Sequence, residues 1–246
     1  MSGNVEAPPG LGGTGARAQL NREVVVMACL DFVDAYGPAH LTIRRLASHL
    51  GVQAMSVYRY TSGRESLLRA AVSHVLGDVY HEMTRRRWPS WAAYARHLAY
   101  TVRREAIHHP RLFPVMARQP VQAAFLYPPL CHVPLVEDLL WTLRDHGLSD
   151  RDAATVYRAL SRFLLGSLLL ETAPRSMPQM SGSPGIGVSV GDLSPALMRL
   201  RHGLGTTDEQ IQFEQELEAV LGRLSASMEG SGERGPGEAH LAPDQL

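Results

Sequence analysis

Between its prolines and glycines this chain repeats apolar residues at intervals of three and four, with no convincing alternation, a pattern that commits it to helices rather than strands. In Leu20 to Tyr36, the residues Val26, Cys29, Leu30, Val33 and Tyr36 make one stripe, which Gly37-Pro38 closes. Thr42 is placed to cap a second helix with Ile43, Leu46, Ala47 and Leu50 on one face, stopped by Gly51. A third segment, Gln53 to Tyr60, is barely two turns long and unusually polar. After the turn Thr61-Ser62-Gly63, where Ser62 or Gly63 can cap, a fourth helix carries Leu67, Leu68, Ala71, Val75 and Val79. Ser90 opens a helix expected to reach His108, ahead of a stretch studded with Pro110, Pro114, Pro120, Pro128 and Pro129. Helices are then predicted over Val133 to His146, with Gly147 as C-cap, and over Asp150 to Glu171, capped by Ser149 and ended by Pro174. A last helix starts at Asp208. There is no internal repeat, and the fold class is all-α.

The 246 residues suffice for one or two domains. Residues 1–18, rich in glycine and proline, read as a flexible arm. Residues 19–88 form a first unit and 89–229 a second, with a glycine-rich loop over 177–205 and a disordered tail over 230–246. Cys29 and Cys131 lie far apart with no CxxC spacing, which suggests reduced thiols. No uncharged apolar run approaches the ~20 residues of a membrane span, and the first twenty residues carry no signal pattern. A soluble cytoplasmic protein without a membrane partner is expected.

With 24 basic residues against 24 acidic ones, net charge alone cannot hold this chain on a polyanion. The charge is unevenly placed. Between residues 40 and 70 five arginines, at 44, 45, 59, 64 and 69, stand against Glu65, whereas residues 203–246 hold nine acidic and two basic groups. A capped helix, a tight turn at Gly51 and a short helix showing polar and aromatic groups is the layout of a helix-turn-helix, and the positive charge gathers where a phosphate backbone would lie.

The same segment, through Leu41-Thr42, Leu46-Ala47, Leu50-Gly51-Val52, Ser56-Val57-Tyr58 and Leu67-Leu68, resembles the DNA-binding domain of the tetracycline-repressor (TetR) family over about residues 20–80. The Trp91 helix, the Pro110 loop, Gly147-Leu148-Ser149-Asp150 and Leu168 to Glu171 look like the regulatory domain of the tetracycline-repressor branch. The resemblance implies a homodimer whose recognition helices enter successive major grooves of a palindromic operator and which a small-molecule effector releases. Within that frame Thr42, Tyr58, Tyr60 and Arg64 are expected to donate to phosphate oxygens. Arg44 and Gln53 are long enough for bidentate base contacts, Ala54 and Met55 can meet thymine methyls, Ser56 faces outward with them, and Arg59 can serve either purpose. Ala54 is small where the family often places a polar reader, which shifts weight to Arg44.

In the second unit Leu160, Leu164 and Leu168 of one helix and Phe213, Leu217 and Leu221 of the last are expected to pair with their copies in a four-helix bundle. His97, Thr101 and Arg104, at i, i+4 and i+7, together with Met116, Phe125, Trp141 and Phe163, suit an apolar or ring-bearing effector. No cofactor is expected. His108 and His109 point about 100° apart on a helix, so they do not chelate one ion, and no HExxH, GxSxG or P-loop pattern occurs; the chain does not read as an enzyme. Tetracycline repressors take a histidine-bound magnesium–drug complex, but no equivalent set is present, so that ligand is not carried over. An activator, or an all-α adaptor that has kept the fold without reading DNA, are the competing readings; the arginine patch separates the adaptor, which has no use for it.

Overall fold

A computed structural model describes residues 20–118, 126–176, 195 and 208–232. All regular structure among them is helical, apart from one isolated bridge between Tyr127 and Leu130. The elements are α1 (Arg22–Tyr36), a 3-10 turn (Pro38–His40), α2 (Ile43–His49), α3 (Ala54–Tyr58), α4 (Arg64–Met83), α5 (Trp91–His108), α6 (Phe113–Ala117), α7 (Val133–Asp145), α8 (Asp150–Ser176) and α9 (Glu209–Gly232).

The helix ends follow from local chemistry. Asn21 accepts from the Val24 amide at 2.8 Å and Ser90 from that of Ala93 at 3.1 Å, each satisfying a donor the first turn would leave bare. Ser149 does the same for Asp152 at 3.2 Å. At Gly147 (φ 87°) a Schellman closure returns the amides of Gly147 and Leu148 to the carbonyls of Arg144 and Leu143.

Helices α1 to α4 enclose one apolar cluster in which Val25, Cys29, Val33, Leu46, Val57, Leu67 and Ala71 are buried. Burial pushes the Cys29 thiol up to about 12. Helix α4, 20 residues and therefore about 30 Å long at 1.5 Å per residue, runs on from this unit to pack against α5, α6 and α7. The second unit is α5 to α9, with α8 against α5, α6, α7 and α9. By length and composition alone α8 is apolar enough to cross a bilayer over 150–174, yet Leu160, Leu164 and Leu168 are buried among the other helices.

Four expectations are corrected. The third helix spans Ala54–Tyr58 only, because Gln53 is extended (φ −75°, ψ 145°) and Arg59 closes the turn. Helix α6 lies inside the proline-studded stretch: Pro114 occupies an N-terminal position of it, where the missing amide costs nothing. Pro174 does not end α8, which continues to Ser176; near a helix end the ring forfeits only the bond to the exposed Leu170. The last helix reaches Gly232 and so enters the expected tail by three residues, from 230 to 232. The arm, most of the 177–205 loop and the rest of the tail fall outside the described residues.

Candidate nucleic-acid interface

The interface is built on α2, its turn and α3. Thr42 Oγ1 accepts from the Arg45 amide at 3.2 Å, fixing the start of α2, while Ile43, Leu46 and Ala47 are buried. This leaves Arg44 and Arg45 exposed on the outer side. At the far end Gly51, at φ 67°, adopts the left-handed conformation; its amide reaches the Ser48 carbonyl at 3.1 Å and the Val52 amide that of Ala47 at 2.9 Å, again a Schellman closure. The turn delivers the chain directly into α3.

Helix α3 is anchored by one wholly buried residue, Val57, which points into the cluster shared with Leu46 and Leu67. Everything opposite to it faces out. Met55 is 73% exposed and Tyr58 51%, and Arg59 is exposed beside them, so positions i, i+3 and i+4 form one outward face. Gln53 precedes the helix, exposed and with no capping bond from its side chain. Ala54 and Ser56 are half-buried at the flanks. The exposed thioether, phenol and guanidinium side by side offer methyl contact, stacking and a charge-assisted donor together.

Two expected phosphate donors have partners inside the chain. The Tyr60 hydroxyl donates to the Leu20 carbonyl at 2.5 Å, tying the entry of α1 to the end of α3. Arg64 donates through Nη2 to the Pro38 carbonyl at 3.0 Å and through Nη1 to Glu65. Both side chains help to hold the unit's shape, a use that sequence spacing does not reveal. Arg45, whose Nη1 lies 3.4 Å from the His40 carbonyl and ring, is likewise drawn sideways.

Three of the seven effector candidates, His97, Thr101 and Arg104, converge on Glu82 of α4: His97 Nε2 is 2.9 Å from Oε1, Thr101 donates to the same oxygen at 3.1 Å and Arg104 to Oε2 at 2.7 Å. These donors, led by Arg104, draw the Glu82 carboxyl down to about 2. The only hint of Glu82 in the sequence is an acid standing just before the run Arg85-Arg86-Arg87. Trp141 is 67% exposed and borders an outer groove of roughly 320 Å³ with Arg86, Arg87, Trp88 and His146. Met116 is buried, Phe163 lies half-buried with its ring 5.2 Å from that of Phe213, and Phe125 is outside the described residues.

The six dimer candidates Leu160, Leu164, Leu168, Phe213, Leu217 and Leu221 are all buried within the single chain, so α8 and α9 seal this seam against each other and α5. Arg103 reinforces it by gripping Glu171, and Arg96 by gripping Glu218. What α8 and α9 present outward includes Leu170, 79% exposed, and Ile211, 47% exposed. Among the described residues no three His, Cys, Asp or Glu side chains come together as a metal-ligand set, and the His108 and His109 rings stand edge to face.

The profile described as "Tetracyclin repressor-like, C-terminal domain" matches residues 88–227. The chain is 28% identical over 153 residues to the tetracycline repressor protein class D of Escherichia coli; that alignment covers 62% of this chain and 66% of the repressor's own length, just under two thirds. Among solved structures, a possible TetR family transcriptional regulator from Streptomyces coelicolor A3(2) superposes with a TM-score of 0.69 at 27% identity, covering 84% of this chain and all of the other. The TetR family protein ActR of Streptomyces coelicolor, in complex with (S)-DNPA, gives a TM-score of 0.63 at 26% identity over 85% of this chain and 99% of its own.

Proposed function

The chain belongs to the tetracycline-repressor (TetR) family of transcriptional regulators, and from that premise we propose that it is an effector-responsive repressor that grips a palindromic operator as a homodimer. The observation that carries this reading is the outward face of α3. Met55, Tyr58 and Arg59 stand free around the single anchor Val57, with Arg44 exposed on the preceding helix. Arg44 and Gln53 supply bidentate base contacts, Met55 and Ala54 meet thymine methyls, and Tyr58, Thr42 and Arg59 hold phosphates, Ser56 lying at their flank. Tyr60 and Arg64 serve by holding α3 in place.

Two copies pair through the outward faces of α8 and α9, where Leu170 and Ile211 stand in water. Release follows when a small apolar or aromatic molecule binds the α5–α8 unit; the family relatives whose names include a drug or a bound compound support this part. Enrichment of duplexes from a random-sequence pool by the full chain tests the proposal. The expected product is a palindrome with half-sites one helical turn apart, about 34–36 Å, bound by two chains. A chain that enriches no sequence, or binds singly, refutes it.

A further inference from the structure

The DNA-binding unit meets the second unit at a polar joint that neither base reading nor effector binding uses. Where α5 ends, Nδ1 of His109 lies 2.6 Å from Asp34 Oδ2 on the last turn of α1. Two residues on, Arg111 donates through Nη1 to the carbonyls of Asp34, at 3.0 Å, and Ala35, at 2.5 Å. Those carbonyls end a helix and have lost their intrahelical donors, so a guanidinium there satisfies them and also meets the negative end of the helix dipole. The other oxygen of Asp34, Oδ1, is buried without a hydrogen-bond partner. With one oxygen buried and unpaired, this half-buried carboxylate leans on the bond its other oxygen makes, and keeping it in place costs more when that bond weakens.

We propose that His109 and Arg111 latch the DNA-binding unit to the effector unit by gripping the end of α1, and that the proton on His109 sets how firmly, making operator binding by this chain pH-linked. The last clause rests on the DNA-binding reading above; the latch itself does not.

Around the ring stand Asp31 and Asp34 from α1 and Glu105 and His108 from α5, while Arg111 of the turn that follows sits on the carbonyls of Asp34 and Ala35. The His108 ring stands edge-on at 4.7 Å, and Glu105 is partly neutralised by Arg104 at 2.9 Å. The hydrogen bond to Asp34, aided by the charges of Asp34, Glu105 and Asp31, holds His109 above its ordinary value of 6.5 against the opposing effect of burial. A base raised in the folded state gives its stabilisation in full below that ordinary value and loses it as pH climbs through the folded one. The neutral ring still has an N–H for Asp34 but no charge, while Arg111 keeps its grip, so the latch loosens rather than opens. A loosened unit must be reordered to bring two recognition helices to groove spacing, which weakens binding.

The test uses the full chain. The His109 imidazole is followed by NMR, assigned through its loss in His109→Gln, and amide exchange is read at Val33–Tyr36. Affinity for a duplex enriched from the random pool is measured on both sides of the imidazole midpoint. The expected outcome is titration of His109 above 6.5, moving down in Asp34→Asn, with amide protection, corrected for the intrinsic base-catalysed rate, falling above the midpoint in the wild type. Duplex affinity falls by about threefold or more across that midpoint in the wild type and not in His109→Gln, the comparison that removes the contributions of His40 and His49. Titration at the ordinary value, or the same exchange and affinity profiles in both proteins, overturns the latch. If no duplex is enriched, the DNA-binding reading fails while the imidazole and exchange readouts still decide the latch.

Discussion

Replacing Glu171 by glutamine puts the packing of the effector unit to a quantitative test. Arg103 of α5 donates through Nε to Glu171 Oε2 at 2.9 Å and through Nη2 to Oε1 at 2.6 Å, and its guanidinium carbon lies 5.2 Å from the centre of the Phe213 ring on α9. The two side chains are only 12% and 7% exposed, so this pair belongs with buried bridges rather than surface ones. Removing one partner of a buried pair typically costs about 3–5 kcal/mol, because the survivor keeps its desolvation penalty. Glutamine still accepts one of the two N–H groups, which places Glu171→Gln at about 3 kcal/mol, a large part of the roughly 5–15 kcal/mol by which a domain is stable. The double variant Arg103→Met, Glu171→Leu removes both charges of this pair and should recover part of that loss. Urea unfolding followed by far-UV dichroism reads both through the midpoint at unchanged slope. A loss below about 1 kcal/mol for Glu171→Gln, the value of an exposed pair, or a double variant worse than the single one, refutes the reasoning.

Gly51→Ala places a side chain at φ 67°, in the left-handed region, where nothing lies within 4 Å of the new Cβ; the backbone penalty alone should cost about 1–2 kcal/mol in thermal melts, with Gly51→Asn losing less. Glu82, drawn down to about 2 from an ordinary 4.5, contributes stability that is complete above 4.5 and disappears as pH falls toward about 2, so urea midpoints taken across that interval should drop more steeply in the wild type than in Glu82→Gln. Cys29, buried with its thiol near 12, should resist a thiol reagent at neutral pH in the folded chain and react once urea unfolds it. Leu170→Glu combined with Ile211→Glu should leave the helical dichroism intact and halve the particle mass in light scattering; an unchanged mass rejects pairing through these faces.

Where the sequence was explicit, local chemistry was sufficient. Thr42, Ser90, Ser149, Gly51 and Gly147 act through neighbours three to five residues away, so spacing alone exposes them. The outward placement of Gln53 and Arg59 was legible from the polar character of the third segment, whereas Ser56, expected outward with them, is half-buried. The structure departs from expectation where partners are remote. Tyr60 is paired with Leu20 and Arg64 with Pro38, 40 and 26 residues away, and Glu82 collects donors from a different helix. Periodicity marked Leu160, Leu164, Leu168, Phe213, Leu217 and Leu221 as a seam, but a stripe does not say whether its cover comes from the same chain or another. Helix α6 was hidden because Pro114 reads as a breaker unless the start of the helix is known.

The most direct test of the central claim is the affinity of wild type and Arg44→Ala for the enriched duplex and for a scrambled one, at two salt concentrations. The α2–α3 interface predicts that Arg44→Ala loses about 1–3 kcal/mol of preference for its own duplex, while both proteins weaken steeply as salt rises. Equal preference in the two proteins, or binding indifferent to salt, would contradict it.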